Sequence, residues 1–400
     1  MAIIDEIINR HIKCSVQLYI LSILEDYKMK IVTLYSSYYP ERGGIQNVIR
    51  HVNEKLSNDG HSNTVICLTD KGSFVKEEIN GVEVLRISDK YYHTLYGYSI
   101  SFKEFFKNNR IIFETADVIH VHGYHSLFSY EVIKLLDKFG YSFKIVFNPH
   151  YEGVGFTRIN NLLHKPYKYL AKSLFDISEK IICVSNYERD LLINNFRIEK
   201  SKIRVIQNGI NYKIPKNHIV KYFSNNLKIL YVGRLEEYKG IQYLLHSLAL
   251  LNKNKSLNIE FIIVGQGPFH QDLLDLTSKL KLNNVRFLGN VSNEKLEKLY
   301  ISSDIFILLS RSESYGLVVA EALVHGLVTI VTKTTALSEF LELNGCIGID
   351  YPPNIDHLSS LLESLVNGKI EIGPFNNQKI RNWDIVSEDY LEIYTDLKNI

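Results

Sequence analysis

Two carboxylates, Glu313 and Glu321, stand eight positions apart on either side of an apolar run in the stretch ESYGLVVAE. An unpaired carboxylate is costly to bury, so Glu321 is unexpected inside LVVAEAL, a segment that otherwise has the composition of a protein core. It either lies on the water-facing side of a helix or binds a ligand. Because carboxylates accept hydrogen bonds, two of them suit the paired hydroxyl groups of a polyol such as a ribose.

Two cations, Arg234 and Lys239, lie in a second stretch, VGRLEEYKG, in which Gly233 follows an apolar run and Gly240 precedes a helical pattern. The N-terminus of a helix favours anions through its free N–H groups and its dipole. The two cations therefore favour a diphosphate site, although a solvated basic loop fits the same residues. Two cations and two carboxylates together suit a ligand with hydroxyl groups at both ends and a diphosphate between them. That ligand is a nucleotide sugar.

Glycines mark two further turns that follow apolar runs, at Gly43-Gly44 and in VGQGP, which contains Gly265 and Gly267. A glycine lets the backbone approach a phosphate or a sugar, because it has no side chain. An ordinary tight turn fits each position equally well. Neither turn has the spacing of a dinucleotide-binding fingerprint, and the phosphate-binding loop of nucleoside triphosphatases is absent from the sequence.

Histidines also follow apolar runs. His150 comes directly after KIVFNP and is either structural or close to a reacting centre. His120, His122 and His125 form a cluster whose spacing leaves a metal site open. No carboxylate or cysteine stands beside them in sequence, so a structural role or a role in acceptor binding is favoured over a metal site.

Short apolar, β-branched runs alternate with longer amphipathic stretches, which predicts parallel sheets covered on both faces by helices. Ligands of such sheets bind beyond the carboxyl ends of the strands, where the residues described above lie. We therefore expect an α/β protein of two doubly wound domains, divided at the polar break Pro215–Asn226 and facing one cleft. The predicted strands are Lys30–Tyr35, Asn63–Leu68, Val118–Val121, Lys144–Phe147, Lys180–Val184, Arg204–Ile206, Lys228–Val232, Ile259–Val264, Val285–Leu288, Asp304–Leu309 and Val328–Val331.

The composition fits this interpretation. The 400 residues are 46% hydrophobic and 22% charged, and the net charge of +2 gives no reason to expect nucleic acid as a partner. No apolar run reaches the length of about 18 residues that spans a bilayer. We predict a cytoplasmic protein and leave contact with the cytoplasmic membrane face open. The cysteines are widely spaced, form no CxxC pair and are expected to be reduced; they are Cys14, Cys67, Cys183 and Cys346.

Four segments together resemble glycosyltransferase family 4: VGRLEEYKGIQYLLHSLALL, VGQGP, VRFLGNVSNEKLEKLYISSDIFILLS and ESYGLVVAEALVHG. GGIQNVI, NPH, CVSN and VIQNGIN extend the likeness into the first half, and NWDIVSEDYLEIY is similar to the closing helix of the family. The resemblance covers about Lys30 to Tyr394 and implies the GT-B fold, in which two Rossmann-like domains face a cleft. It divides the chain into an extension (1–28), an acceptor-side domain (29–215), a donor domain (216–380) and a helix that crosses back to the N-terminal domain (381–400).

The resemblance implies a retaining hexosyltransferase that uses a nucleotide-diphosphate sugar and needs neither a metal nor another cofactor. Its catalytic residues would be His150, Arg234, Lys239 and Glu313. Arg234 and Lys239 would neutralise the leaving diphosphate and supply the charge that a metal would otherwise bring, Glu313 would bind a hydroxyl of the donor sugar, and Glu321 would bind the ribose. The other donor-binding residues that it implies are Gly43, Gly44, Gly233, Gly265, Gly267, Tyr315, Gly316 and Leu317.

Two departures from the family pattern concern the donor. The family usually continues after this helix with Gly-Pro and a Gly-Gly loop, whereas this chain has Gly326-Leu327 and the glycine-free segment Thr332–Glu339. Asn211 stands where an aspartate is common.

Two alternative functions remain open: an epimerase of the same fold would turn over the nucleotide sugar without an acceptor, and a catalytically silent module would only bind it.

The acceptor side is less specific. Residues Phe156–Lys180 carry cations among aromatic and aliphatic residues, and a basic amphipathic segment of this kind can lie on an anionic membrane surface. A solvated helix face fits the same pattern. The expected partners are a nucleotide-diphosphate sugar and a glycan or lipid-linked acceptor, without nucleic acid. The cations of this segment include Arg158, Lys165, Lys168 and Lys172.

The first residues are not required by this fold. Met29 opens the first predicted strand, whereas Ile3, Ile4, Ile7, Ile8 and Ile12 repeat at helical spacing. Residues 1–28 are therefore either a helical extension or an upstream start. We expect a chain that begins at Met29 to fold and to keep its activity.

Overall fold

The computed structural model describes residues 28–41, 43–89, 101–139, 143–153, 158–211, 226–252, 258–367 and 379–399; of residues 158–165 it describes the helix and not the side chains. The predicted extension lies outside the described residues, apart from Lys28, and so does nearly all of the predicted break at Pro215–Asn226. The helices are α1 (Gly44–Asn58), α2 (Ser101–Asn108), α3 (Arg110–Glu114), α4 (Leu127–Lys138), α5 (Arg158–Ile177), α6 (Asn186–Phe196), α7 (Ile241–Leu251), α8 (His270–Lys279), α9 (Asn293–Ser302), α10 (Leu317–Val324), α11 (Ile355–Val366) and α12 (Trp383–Lys398).

The strands alternate with these helices, as the sequence predicts. They are β1 (Lys30–Leu34), β2 (Ser62–Thr69), β3 (Val75–Ile79), β4 (Val82–Ser88), β5 (Val118–His122), β6 (Ile145–Asn148), β7 (Lys180–Cys183), β8 (Ile203–Val205), β9 (Gly209–Ile210), β10 (Asn226–Val232), β11 (Asn258–Val264), β12 (Val285–Gly289), β13 (Ile305–Leu308), β14 (Val328–Thr332), β15 (Cys346–Ile349) and β16 (Arg381–Asn382). Short 3-10 helices lie at Lys200–Lys202, Glu237–Lys239 and Ala336–Glu342.

Two large sheets carry the fold. The first has the order β3-β4-β2-β1-β5-β6-β7-β8, and the second has the order β12-β11-β10-β13-β14-β15. All pairs in the second sheet are parallel. In the first sheet β1 pairs in parallel with both β2 and β5, whereas β3 is antiparallel to β4. In the doubly wound order a crevice lies where the strand order reverses, which is between β1 and β5 and between β10 and β13.

The central strands are apolar runs because both of their faces are covered. Side chains of a strand point alternately to opposite faces, and β5, β13 and β14 are buried at every position. Each fully buried Val, Leu or Ile side chain contributes about 1.5–3 kcal/mol of hydrophobic stabilisation. The predicted α/β class with parallel sheets is confirmed.

Tertiary contacts divide the chain into two compact units. The first comprises Met1–Pro149, Ala171–Ile181 and Ser387–Ile400, and the second comprises His150–Leu170 and Ile182–Val386. The boundaries that the sequence predicts after residues 28, 215 and 380 stay predictions.

The hairpin of β3 and β4 and the strands β9, β15 and β16 were not predicted from the sequence. The hairpin turn is Asn80-Gly81, with φ of 51° and 79°, and this pair is a strong hairpin signal because both residues tolerate positive φ. β3 has the sequence VKEEI and is largely exposed, so it shows none of the apolar character by which the other strands were found.

The histidine cluster of the first unit contacts the C-terminal helix α12. Nδ1 of His120 lies 2.7 Å from Oη of Tyr394, and Oη of Tyr390 donates a hydrogen bond of 2.7 Å to Oδ1 of Asn148. The rings of His120 and His122 lie 4.0 Å apart. The described residues include no group of three or more His, Cys, Asp or Glu side chains that could hold a metal ion. Nor is any described helix long and apolar enough to cross a membrane.

We predict that Tyr394→Phe destabilises the protein by about 1–2 kcal/mol, because it removes a hydrogen bond between two buried groups and leaves the histidine nitrogen without that partner. Denaturant unfolding of the whole chain measures this cost. Tyr169→Phe is the matched control, since Tyr169 is 91% exposed. Equal stability of the two variants would show that the contact between Tyr394 and His120 does not stabilise the protein.

Candidate functional site

Two charged side chains of the second unit lie close together where the strand order of its sheet reverses. Lys239 ends the 3-10 helix that follows β10, and Glu313 lies in the loop that follows β13. Nζ of Lys239 and Oε1 of Glu313 are 2.5 Å apart, and each side chain is only 13% exposed. Two of the residues that the sequence singled out therefore form a largely buried ion pair at the crevice of the sheet.

The chain brings these two loops together through a glycine. Gly240 adopts a φ of 78° at the start of α7, and a Cβ on it would lie 2.2 Å from the carbonyl oxygen of Leu309, just after β13. The backbone N–H of Arg311 also donates a hydrogen bond of 2.8 Å to the carbonyl of Tyr238. The close approach of the two backbones fixes Lys239 beside Glu313.

The ammonium of Lys239 keeps its charge in this environment. Burial by itself lowers the pKa of the lysine, but Glu313, followed by Tyr238 and Glu152, raises it above its ordinary value. A buried charge that loses its partner is strongly destabilising, so removing Glu313 would leave the Lys239 ammonium in an unfavourable environment.

The glycine turns after β10 and β11 pack against each other. Gly265 has a φ of 131°, and a Cβ on it would lie 1.9 Å from the carbonyl oxygen of Gly233. A Cβ on Gly267 would lie 2.2 Å from the carbonyl oxygen of Leu235. These glycines thus have a structural cause in backbone packing, and their donor-binding role stays a prediction.

Arg234 lies in the turn after β10 and is 72% exposed, with Nη2 at 2.8 Å from Oε1 of Glu236. Its guanidinium is therefore far more exposed than the ammonium of Lys239, which is 13% exposed. Oη of Tyr231 donates a hydrogen bond of 2.7 Å to the Arg234 carbonyl and holds the backbone of this turn.

Glu321 is neither a surface residue nor an unpaired core carboxylate. It lies half-buried on α10, and Oη of Tyr300 donates a hydrogen bond of 2.8 Å to its Oε2. Burial raises the pKa of Glu321 to about 7, although the bond from Tyr300 lowers it. Among the described residues, Oε1 has no hydrogen-bond partner. Tyr300 is in turn stacked on His325, with ring centroids 5.0 Å apart.

The start of α10 is fixed by close packing. Gly316 has a φ of 109°, and a Cβ on it would lie 2.6 Å from the Leu337 side chain. Tyr315 is buried against Phe340, whereas Leu317 is half-buried. The predicted donor-binding residues Tyr315, Gly316 and Leu317 thus connect the Glu313 loop to the helix that carries Glu321.

The glycine-free segment Thr332–Glu339 leads into the 3-10 helix Ala336–Glu342. The backbone N–H of Ala336 donates a hydrogen bond of 3.4 Å to the carbonyl of Glu313. Glu339 accepts hydrogen bonds from the Tyr187 backbone at 2.8 Å and from the Gln207 side chain at 3.2 Å. The departure from the family's glycine loop is therefore an ordered segment tied to the Glu313 loop on one side and to α6 on the other.

His150 lies in the second unit and is 8% exposed. It has a φ of 50°, which is uncommon for a residue with a side chain. Burial lowers the pKa of His150 to about 3, so its imidazole is neutral at physiological pH. The catalytic role that the family resemblance implies for this residue stays a prediction.

Two acidic residues near the site escaped the sequence analysis. Glu152 accepts a hydrogen bond of 2.7 Å from Oγ of Ser312, the residue before Glu313. Glu188 is fully buried and accepts hydrogen bonds from the backbone of Tyr151 at 2.6 Å and of Val184 at 2.7 Å. The pattern Ser185-x-x-Glu188 is a helix-capping signature and could have identified Glu188. Glu152 has no local sequence signal, because its partner lies 160 residues away.

Gly43 and Gly44 belong to the first unit and begin α1. Gly43 has extended backbone, and a Cβ on it would meet the Gln46 side chain at 2.3 Å. A Cβ on Gly44 would meet nothing within 4 Å. Packing within the protein therefore does not explain why Gly44 is a glycine.

We predict that Gly267→Ala destabilises the protein by about 1–3 kcal/mol, because its Cβ would overlap backbone atoms of Leu235 that cannot move aside without displacing the turn. Denaturant unfolding checks this value. Gly44→Ala is the control, since its Cβ enters open space at the start of a helix, where alanine is favoured over glycine. A Gly267→Ala protein as stable as Gly44→Ala would show that the turns are not tightly packed.

Two family models match most of the chain between them. The model described as "Glycosyltransferase Family 4" matches residues 42–213, and the model described as "Glycosyl transferases group 1" matches residues 216–381. The chain is also 25% identical over 384 residues to the phosphatidylinositol N-acetylglucosaminyltransferase GPI3 subunit of Saccharomyces cerevisiae, an alignment that covers 92% of this chain and 83% of the yeast protein.

Solved structures show the same fold. Sucrose-phosphate synthase from Thermosynechococcus elongatus superposes with a TM-score of 0.72 at 18% identity, covering 92% of this chain and 99% of that protein. The Anabaena protein HepE in complex with UDP and glucose superposes with a TM-score of 0.66 at 16% identity, again covering 92% and 99%. These likenesses confirm the GT-B fold with two Rossmann-like domains. With both family models matched, the chain belongs to glycosyltransferase family 4.

Proposed function

We propose that this glycosyltransferase moves a hexose from a nucleotide-diphosphate sugar to a glycan or lipid-linked acceptor, with retention of anomeric configuration and without a metal ion. The observation that carries the proposal is the buried ion pair of Lys239 and Glu313, at 2.5 Å, in the crevice where the strand order reverses. Retention is carried over from the family resemblance.

The leaving diphosphate is the group that most needs stabilisation, because negative charge develops on it as the sugar departs. Fixed cations stabilise such charge strongly in a site with little water. Lys239 supplies a buried ammonium whose pKa is raised by Glu313, and Arg234 supplies an exposed guanidinium that can turn towards the ligand. In our proposal these two cations replace a metal ion at the diphosphate.

In our proposal the two carboxylates bind the hydroxyl groups of the donor. Glu313 uses Oε1 for Lys239, and Glu321 uses Oε2 for Tyr300, so each keeps a second oxygen with which to accept a hydrogen bond from a sugar hydroxyl. HepE binds UDP and glucose, which makes uridine-diphosphate sugars the first donors to test.

We predict that Arg234→Ala and Lys239→Ala each reduce the transfer rate by about a hundredfold, equivalent to roughly 3 kcal/mol of transition-state stabilisation. Steady-state kinetics measures the loss. Lys298→Ala is the matched control, since Lys298 is 72% exposed and pairs with Glu294 elsewhere on the second unit. Thermal unfolding of each variant separates loss of activity from loss of fold, which matters for Lys239 because its removal leaves Glu313 buried without its cation. Turnover of both variants within about twofold of the wild type would contradict the diphosphate site.

The acceptor side points to a lipid. On helix α5, Tyr169 is 91% exposed and Leu170 is 57% exposed, and the neighbouring Lys172 is exposed as well. Exposed apolar side chains beside cations suit the surface of an anionic membrane. The yeast relative GPI3 is named as a subunit of a phosphatidylinositol N-acetylglucosaminyltransferase, which supports a lipid-linked acceptor for this chain.

We predict that the double variant Tyr169→Ser/Leu170→Ser binds at least about threefold more weakly to vesicles that contain phosphatidylglycerol, because it removes apolar area that would enter the interface. Vesicle cosedimentation at low salt measures the partition. Ile301→Ser is the control, since Ile301 is 66% exposed on α9. An equal partition of the double variant and the wild type would indicate that α5 is an ordinary solvated helix.

A further inference from the structure

A third carboxylate lies beside the ion pair of Lys239 and Glu313. Glu152 follows β6 in the sequence and is half-buried. Its Oε2 accepts a hydrogen bond of 2.7 Å from Oγ of Ser312, which is itself 3% exposed and directly precedes Glu313. Among the described residues, Oε1 of Glu152 has no hydrogen-bond partner.

The buried Glu188 holds the segment that carries Glu152 through a hydrogen bond to its backbone. The backbone N–H of the preceding residue, Tyr151, donates a hydrogen bond of 2.6 Å to Oε1 of the buried Glu188. Oε2 of Glu188 accepts a second hydrogen bond, of 2.7 Å, from the backbone of Val184, the residue after β7. The position of Glu152 is therefore built into the fold.

The charges around Glu152 are unbalanced. Among the described residues the groups that act on its charge, or whose charge it affects, are one cation, Lys239, two carboxylates, Glu313 and Glu188, and the phenols of Tyr187 and Tyr238. If all three carboxylates were ionised, a single ammonium would face three negative charges. Burial raises the pKa of Glu152 to about 7, with Lys239 lowering it and Glu313 raising it.

A bound diphosphate would add further negative charge to the same place. Since like charges disfavour ionisation, the carboxyl of Glu152 would hold its proton more firmly in the donor complex than in the free protein. An ionised Glu152 would instead compete with the diphosphate for the ammonium of Lys239. The protonation state of Glu152 therefore affects how strongly the ammonium of Lys239 attracts the diphosphate.

We propose that Glu152 is a positioning residue of the donor site: hydrogen-bonded to Ser312 beside the ion pair of Lys239 and Glu313, it remains a neutral acid and so leaves the charge of Lys239 to Glu313 and to the donor's diphosphate. The inference rests on the proposed function, since it takes the ligand at Lys239 to be a diphosphate. Donor binding should therefore weaken as the pH rises and Glu152 loses its proton.

The first experiment measures binding of UDP-glucose, the probe, by calorimetry at pH 6 and pH 8.5. The full-length wild type should bind at least about threefold more weakly at pH 8.5 than at pH 6, and Glu152→Gln, which cannot ionise, should lose most of that dependence. The wild type should also take up a proton on binding above pH 7, seen as a heat that depends on the buffer, and the variant should take up less. Glu199→Gln, at an exposed carboxylate, is the control and should follow the wild type.

Ser312→Ala gives an independent sign. The hydroxyl of Ser312 donates to Glu152 and thereby lowers the pKa of that carboxyl. Without it the decline in binding should move to higher pH. A residue with only a structural role would shift the affinity equally at all pH values.

A second experiment needs no ligand. A carboxyl whose pKa is raised on folding binds more protons in the folded state, so its contribution to stability falls as pH rises from its ordinary pKa to the raised value. The melting temperature of Glu152→Gln minus that of the wild type should therefore increase from pH 5 to pH 8, whereas that of Glu199→Gln minus the wild type should not.

These experiments separate two failures. If UDP-glucose and other nucleotide sugars bind to no variant, the proposed function fails, and the ligand-free melting curves still decide whether Glu152 carries a proton. Three results overturn the inference itself: the same pH dependence of binding in wild type and Glu152→Gln, loss of binding in Glu152→Gln by a hundredfold or more at both pH values, or a melting-temperature difference that does not change with pH.

Discussion

The rest of the site depends on the burial of a lysine ammonium against a glutamate carboxylate. Lys239 and Glu313 are each 13% exposed, and neither charge is tolerable there without the other. The pair requires the loops after β10 and β13 to meet, which they do only because Gly240 leaves room for the carbonyl of Leu309. Glu152 and Ser312 then complete a small polar cluster whose total charge depends on where its protons lie.

Buried polar contacts between distant parts of the chain hold this arrangement. Glu188 fixes the backbone before Glu152, and Glu339 ties the 3-10 helix Ala336–Glu342 to the start of α6. In the first unit, Tyr394 does the same for α12 through His120. In each case a charged or polar side chain satisfies groups that burial would otherwise leave without water. The polar residues of this protein thus serve its architecture as much as its chemistry.

Much of the fold could be predicted from the sequence, because strands that are buried on both faces consist of consecutive apolar residues. Such runs are visible in the sequence itself. The charged residues of the candidate site were also singled out from the sequence, since Arg234, Lys239 and Glu313 follow such runs and Glu321 interrupts an apolar segment; their roles stay predictions. The hairpin of β3 and β4 was missed although its Asn80-Gly81 turn is a clear signal, because VKEEI is too polar to stand out as a strand. Glu152 and Tyr300 were beyond reach: each meets its partner only through the tertiary fold, 160 and 21 residues away, and no local pattern encodes such a contact.

The central claim is that the site at Lys239 and Glu313 holds the diphosphate of a nucleotide sugar without a metal ion. Its most direct test is the melting temperature of the wild type with UDP-glucose, UDP-N-acetylglucosamine and GDP-mannose, each titrated in the presence of EDTA. A ligand that binds only the folded state stabilises it by about 2.7 kcal/mol at a hundred times its dissociation constant. We predict that the melting temperature rises with the concentration of at least one of these sugars in EDTA, and that the rise is smaller in Arg234→Ala. No rise with any of them, or a rise only after magnesium or manganese replaces EDTA, would contradict the central claim.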